Sequence, residues 1–255
     1  MIRRLALMME YVSDNGTTMR VKILFDKTSE NKKLHTGWGV SFLIDDKILF
    51  DTGEKGEWLL QNIRSLGVGI DKIEAVIISH DHWDHWGGLW ELLKKKKGLM
   101  VYACPNFSAE FKNKVIQFKG ALKETKKMAE IVDDIFVTGE IAGEYKAEYM
   151  AEQALVVRTD KGISVITGCA HPGIIKMVEK VTSEFKDYHI YSVIGGFHLM
   201  DKDTRIVKLI ADKFKKMNIE KVGPTHCSGK TAQDLFKKIY GPDFIDIKVG
   251  QSLDI

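Results

Sequence analysis

The segment His80-Asp81-His82-Trp83-Asp84-His85 follows directly on the apolar run Ala75-Val-Ile-Ile-Ser79. Four side chains able to bind metal, His80, His82, Asp84 and His85, thus fall within six residues. Imidazoles and carboxylates are natural ligands for zinc and similar divalent ions. In extended backbone, side chains two residues apart point the same way, so His80 and His82 aim at one point. Asp84 and His85 fall where the chain must turn toward Trp86-Gly-Gly88, and the turn aims them at a neighbouring point. The nearly continuous apolar stretch Ile73 to Ser79 is what a strand buried on both faces requires. The chain is therefore constrained to a layered fold that ends a central strand on a cluster of ligands.

Three more of the eight histidines occur in matching settings. His171, His198 and His226 each follow an apolar strand in a loop of small residues: Thr167-Gly-Cys-Ala-His-Pro-Gly173, Ile194-Gly-Gly-Phe-His-Leu199 and Pro224-Thr-His-Cys-Ser-Gly229. A lone loop histidine is readily explained by a bond to backbone. Four clusters at strand ends that share one rim of a sheet are not. Five histidines (80, 82, 85, 171 and 226) are expected to converge on one metal centre, with His198 at its edge. His35 and His189 lie in no such context and are expected to take no part.

The rest of the chain alternates strands and helices. Arg20 to Phe25, Val40 to Ile44 and Lys47 to Asp51 read as strands, the last two joined by a turn at Asp45-Asp46. Trp58 to Leu66 has helical spacing and ends at Gly67, and a helix over Leu89 to Lys97 precedes a strand over Leu99 to Ala103. Asn106 to Ala129 is polar, Lys-rich and partly helical, and is the expected place for a substrate-facing insertion. Ala154 to Arg158, Ile163 to Thr167, Ile190 to Ile194 and Lys221 to Gly223 read as strands, with a closing strand over Phe244 to Val249. Ile174 to Phe185, Thr204 to Met217 and Lys230 to Tyr240 read as helices. Strands flanked by helices in both halves suggest one α/β sandwich with helices outside. Residues 1–18 read as an N-terminal extension and 19–255 as a single domain.

Composition excludes other classes. The 255 residues are 44% hydrophobic and 29% charged, ordinary for a chain that buries a core. No uncharged apolar run approaches the ~20 residues of a membrane span. A balance of 38 basic to 35 acidic residues argues for neither a nucleic-acid nor an anionic-membrane partner. Three cysteines (Cys104, Cys169, Cys227) make no disulfide framework and fit a reducing cytosol, so a cytoplasmic location is expected.

His-x-His-x-Asp-His after a buried strand resembles the metallo-β-lactamase superfamily. Leu49-Phe-Asp-Thr-Gly53 resembles its early strand-and-Asp signature and Gly87-Gly-Leu89 its helix start after the metal motif. The loops around His171, His198 and His226 are similar to a subgroup labelled metal-dependent hydrolases, or dihydropterin–ribofuranosylaminobenzene phosphate synthase-like. The resemblance implies a four-layer αβ/βα sandwich, two mixed sheets with helices on the outside, and a dinuclear metal site on one edge. By the same resemblance His80 and His82 bind the first metal, Asp84 and His85 the second, and His226 the second as well. His171 is the candidate third ligand of the first metal, and Asp51 buttresses the metal loop. A histidine at 82, where the redox di-iron branch has glutamate, argues against oxygen reduction. The length leaves no room for the helical insertion of the RNA-cleaving branch.

The chain departs from the superfamily where an aspartate should bridge both metals. It has Thr167-Gly168-Cys169 where Thr-Gly-Asp is expected. In one alignment Cys169 takes the bridging position. In another His171 is the usual third histidine, and Gly195-Gly196 or His198 stands in place of the aspartate. The cofactor is expected to be one or two divalent ions, zinc first, with manganese or iron as alternatives. A thiolate at 169 favours zinc.

Such ions lower the pKa of a bound water and direct the hydroxide at an electrophilic carbon or phosphorus. Asp84 is the candidate catalytic residue, placed to take up a proton as well as to hold metal. The expected reaction is hydrolysis of a small anionic ester or phosphoester. The alternatives are a pterin-linked synthase and a metal- or ligand-binding protein with little catalysis. Ser228 and Lys230 open a helix beside His226 and are candidate anion contacts. His198 and Trp83 are further substrate-binding candidates, and Trp83, Trp86 and Phe197 are placed to stack on a flat ring.

Overall fold

Asp45 and Asp46 both take positive φ, 47° and 60°, in a tight turn closed by the Lys47 N–H on the Ile44 carbonyl at 2.9 Å. Turns of this hand match the twist of the strands they join. Around this turn the computed structural model, which describes residues 18–255, builds the first sheet. Its early strands are β1 (Arg20–Phe25), β2 (Ser41–Ile44), β3 (Ile48–Phe50), β4 (Ala75–Ile77), β5 (Met100–Ala103) and β6 (Ala121–Glu124). Helix α1 (Gly56–Ser65) leads from β3 to β4, α2 (Trp83–Trp86) and α3 (Leu89–Lys95) from β4 to β5, and α4 (Ala109–Gln117) from β5 to β6. The parallel pairing of β3 through β6 follows from these crossovers.

The second half supplies β7 (Ala129–Val132), β8 (Ile135–Val137), a separate hairpin β9 (Ile141–Tyr145) and β10 (Glu148–Glu152), then β11 (Leu155–Thr159) and β12 (Gly162–Thr167). Helix α5 (Ile174–Glu184), β13 (Ile190–Gly196), α6 (Thr204–Lys216), β14 (Lys221–Thr225) and α7 (Gly229–Tyr240) follow, and β15 (Ser252–Asp254) returns to pair with β1. The first sheet has the order β15-β1-β2-β3-β4-β5-β6 and the second β14-β13-β12-β11-β8-β7. Both are mixed, with helices on their outer faces.

Alternation along the strands sorts side chains into three apolar layers. Ile48 and Phe50 of β3 face inward with Leu155, Val157, Ile166 and Ile194 of the second sheet. Leu49 of β3 and Val76 of β4 face outward to Leu59, Leu89, Leu92 and Phe111 of the helices. On the far side Val156, Val165 and Val193 meet Met177, Val178, Phe214 and Phe236. The expected four-layer αβ/βα sandwich is therefore the one observed. Among the described residues no helix is long and apolar enough to cross a membrane. The extension expected over residues 1–18 lies, apart from Thr18, outside the described residues.

Two expectations change. Phe244 to Val249 forms only isolated bridges, Val222 to Phe244 and Ser29 to Val249, and the closing strand is Ser252–Asp254. Ile247 and Val249 are buried in the central layer, so their apolar pattern reports packing rather than a ladder. Asn106 to Ala129 becomes α4 and the edge strand β6, whose Lys123 and Glu124 face solvent, as suits an unpaired edge. The element that leans over the histidines is instead the β9–β10 hairpin.

Phe236 is fully buried with its ring on Phe197, Phe214 and Tyr240. Phe236→Ala is expected to destabilise the fold by ~3–5 kcal/mol, read as a fall in Tm of about 10 °C. A shift of one or two degrees would show that the outer layer repacks freely.

Candidate metal centre

The site begins with the buried carboxylate of Asp51, just after β3 and at φ 56°. Its Oδ1 accepts the Ser79 N–H at 2.7 Å, and its Oδ2 accepts the Ser79 hydroxyl at 2.7 Å. The same Oδ2 stands 2.6 Å from His85 Nδ1. Since the Ser79 hydroxyl donates to Asp51, it accepts from His80 Nδ1 at 2.9 Å. Both rings then carry a proton on Nδ1 and turn Nε2 into the site, which is how outer partners prepare histidine for metal.

His80 Nε2 lies 3.0 Å from His82 Nδ1. The rings of His80 and His82 lie 4.8 and 4.9 Å from the ring of His171. On the other side, Asp84 Oδ2 is 3.6 Å from His85 Nε2 and 3.4 Å from His226 Nε2. With bonds of ~2.0–2.1 Å, two donors on one tetrahedral cation sit about 3.3 Å apart, so these separations suit shared cations. Ring nitrogens of His171, Nδ1 and Nε2, are buried with no hydrogen-bond partner. A buried unpaired polar group costs ~1–3 kcal/mol, and a cation removes that penalty. The donor set fits a metal.

Cys169 stands between the two groups. One cluster of donor atoms is His80, Cys169 and His171, and another is His85, Cys169 and His226, each with its atoms within 4.8 Å of one another. The sulfur is 3.4 Å from His85 Nε2. Its sulfur is thus within reach of donors from both groups, as a bridging ligand would be. Gly195 and Gly196 belong to the end of β13.

The Cys169 loop is held by a residue that the motifs did not signal. Glu152, at the end of β10, is fully buried. Its Oε1 accepts the N–H groups of Cys169 at 2.9 Å and Ala170 at 2.7 Å, and its Oε2 accepts that of His171 at 2.7 Å. Tyr145, at the end of β9, is the second such residue. Its ring lies 4.7 Å from His82, 5.1 Å from His171 and 6.0 Å from His198. A solvent-facing tyrosine in a Lys/Glu-rich stretch carries no motif, so only the hairpin geometry finds it.

Burial and mutual repulsion among the histidines hold His80 well below the ordinary imidazole range, and burial lowers His82 and His171 as well. These rings are neutral, the state a cation needs. Burial also acts to lower His85, but Asp51 and Asp84 outweigh it and raise the ring to about 9. Burial alone would raise Asp84, but His85 and His226 hold it well below the carboxylate range. The Gly39 N–H points at His226 Nδ1 from 3.2 Å, which leaves the metal-free ring protonated on Nε2, toward Asp84. Gly39 itself allows the approach, since a Cβ there would lie 1.7 Å from the Asp84 carbonyl.

Other expected residues fall elsewhere. The Ser228 hydroxyl is fully buried and accepts the Phe197 N–H at 3.0 Å, and Lys230 is exposed and paired with Asp234 at 2.9 Å. Neither is among the residues that line the cleft beside His171. Trp86 packs on Trp90 and Phe111, and Phe197 packs on Phe214 and Phe236. Trp83 remains largely exposed. His35 stacks on Trp58, and His189 is exposed beside Glu220, both outside the cluster as expected. His198 lies at the edge with its ring 4.4 Å from His171. A cleft of about 350 Å³ opens there, lined by Tyr145, Lys146, His171, His198, Lys202 and Ile206 among others.

A family model for the metallo-beta-lactamase superfamily matches residues 39–226. A protein of Methanocaldococcus jannaschii named 7,8-dihydropterin-6-methyl-4-(beta-D-ribofuranosyl)-aminobenzene-5'-phosphate synthase is 29% identical, over 89% of this chain and 92% of its own. An uncharacterised protein of the same organism is 30% identical, over 82% of this chain and 90% of its own. Among solved structures, Tm1679, a metal-dependent hydrolase of the beta-lactamase superfamily, is 30% identical with a TM-score of 0.78, over 93% of this chain and 99% of that one.

Two outcomes are expected. Glu152→Gln leaves fewer acceptors for three buried N–H groups, so a loss of ~1–3 kcal/mol and weaker metal retention should appear together in melting and metal analysis. Because folding raises His85 from 6.5 to about 9, its stabilisation is fully present below pH ~6.5 and is lost as pH rises through about 9. Glu152, raised by burial to about 7, acts in the same direction at the lower end of that window. The Tm of metal-free protein should fall between pH 6.5 and 9, while metal affinity rises by up to about tenfold per pH unit as protons are displaced. A Tm that climbs over that window would contradict the assignment of the His85 proton.

Proposed function

The chain belongs to the metallo-beta-lactamase superfamily, and we propose that it is a metal-dependent hydrolase of a small anionic ester or phosphoester. The observation that carries this reading is the convergence of two donor sets on one sulfur. In it His80, His82 and His171 would hold one cation and Asp84, His85 and His226 a second, with Cys169 between them. Imidazole and thiolate together favour zinc over manganese or iron. When bound, the ions supply Lewis acidity, polarising a substrate oxygen and making water nucleophilic near neutral pH.

The protein's own groups supply the rest. Asp84 Oδ2 stands 3.6 Å from His85 Nε2 and 3.4 Å from His226 Nε2, and Asp84 is the candidate to take up a proton beside the cations. The cleft receives the substrate: Lys146 and Lys202 meet an anion, Ile206 and Ile210 offer an apolar wall, and Tyr145 offers a ring edge. The hairpin carrying Tyr145 narrows access of bulk water to the histidines.

A second reading is supported by the pterin-linked synthase of M. jannaschii, which matches most of this chain. A cleft with aromatic and apolar walls beside two lysines suits a substrate that joins a flat ring to a phosphate. Turnover of a panel of phosphodiesters and carboxylic esters by metal-loaded protein separates the two. Hydrolysis predicts turnover that falls more than about 100-fold in His82→Ala, since even partners behind metal ligands contribute 10- to 100-fold. Pyrophosphate release from a dihydropterin donor, without ester turnover, would replace it with the synthase. In either case Lys202→Gln is expected to raise KM about tenfold with kcat nearly unchanged, the value of one charge-assisted hydrogen bond of ~1.5 kcal/mol. An unchanged KM would remove the cleft from the account.

A further inference from the structure

The sulfur of Cys169 has a third set of neighbours. The sulfurs of Cys169 and Cys227 and a ring nitrogen of His198 all lie within 4.8 Å of one another. Both cysteines are buried, and the Cys227 thiol points at the Cys169 carbonyl from 3.5 Å. His198 Nδ1 is buried without a hydrogen-bond partner.

The backbone is shaped around this group. His198 takes φ 52°, a conformation that typically costs a non-glycine residue ~1 kcal/mol or more. The N–H groups of Leu199 and Met200 both donate to the Cys227 carbonyl, at 3.2 and 3.1 Å, which pins the His198 loop to the Cys227 loop. Gly196 keeps the space open, because a Cβ there would lie 2.8 Å from the Cys227 sulfur and 2.1 Å from the Gly168 carbonyl. Two small buried thiols used only for packing need neither a strained histidine nor an unpaired ring nitrogen.

We propose that Cys169, Cys227 and His198 form a third, sulfur-rich metal-binding position that takes a thiophilic cation such as zinc or cadmium. The proposal rests on the reading of Cys169 as a metal ligand and extends it. Two thiols and an imidazole are a three-ligand set that leaves the fourth tetrahedral place open, and His198 turns that place toward the cleft. Both sulfurs bind as thiolates, and any proton still on them leaves to solvent. The shared sulfur couples the three positions, and a hard ion such as magnesium is excluded from this one.

Cadmium titration followed by thiolate-to-metal charge-transfer absorption, with the sulfur count read by X-ray absorption, tests it. Wild-type protein is expected to show two cadmium-bound sulfurs. Cys227→Ser and His198→Ala should each reduce the absorption, Cys227→Ser by about half, while Cys104→Ser leaves it in place. Magnesium should produce none. A single sulfur in the wild type, lost in Cys169→Ser and unchanged in Cys227→Ser, would overturn the third position yet leave Cys169 as a ligand. No sulfur signal at all would overturn both. The wild-type sulfur count decides the matter even if a cysteine variant fails to fold.

Discussion

Three consecutive backbone N–H groups, those of Cys169, Ala170 and His171, end on one buried carboxylate, Glu152. The rest of the candidate site depends on this contact. A carboxylate in an apolar interior is expensive unless its lone pairs are filled, and successive N–H groups form the concavity that fills them. Burial still lifts Glu152 to about 7, so the contact is finely balanced in the metal-free protein. Its neighbours join the two sheets: His80 bridges to Glu152, and Gln153 donates through its backbone to Ser79 and through its side chain to Ile78. One carboxylate therefore sets both the Cys169 loop and its distance from the strand that carries the histidine motif.

Asp51 does the equivalent work on the opposite side. It fixes the Ser79 backbone and hydroxyl and the His85 ring, and through Ser79 the His80 ring. Neither carboxylate is among the proposed ligands. Together they settle which nitrogen His80 and His85 present and where the sulfur stands. Between the two donor groups stands the thiol of Cys169 rather than a carboxylate. A sulfur favours softer cations and brings Cys227 within the same cluster, which an oxygen in that place would not use.

Sequence pattern carried far on the fold because its signals are periodic and local. The run before His80 lacks polar residues because β4 is covered on both faces. Asp45-Asp46 reads as a turn because aspartate tolerates positive φ. The His80–His85 motif was legible because ligand types crowd into six residues, and His171 and His226 because each ends a strand in a loop of small residues. Glu152 and Tyr145 were not, since they lie in a Lys/Glu-rich hairpin with weak alternation, and their roles arise only when it folds back over the cluster. Ser228 and Lys230 misled for the converse reason. A serine at a helix start looks free in sequence, whereas its hydroxyl is taken by the Phe197 N–H. The positive charge beside the cleft comes from Lys146 and Lys202, which lie in loops without any motif.

The most direct measurement is a crystal structure of zinc-loaded protein with anomalous scattering recorded at the metal edge. The account predicts a peak on either side of the Cys169 sulfur, one within bonding distance of His80, His82 and His171 and the other of Asp84, His85 and His226; the third position adds one beside Cys227 and His198. Peaks that leave Cys169 uncoordinated, or a single peak that does not touch His171, would contradict it.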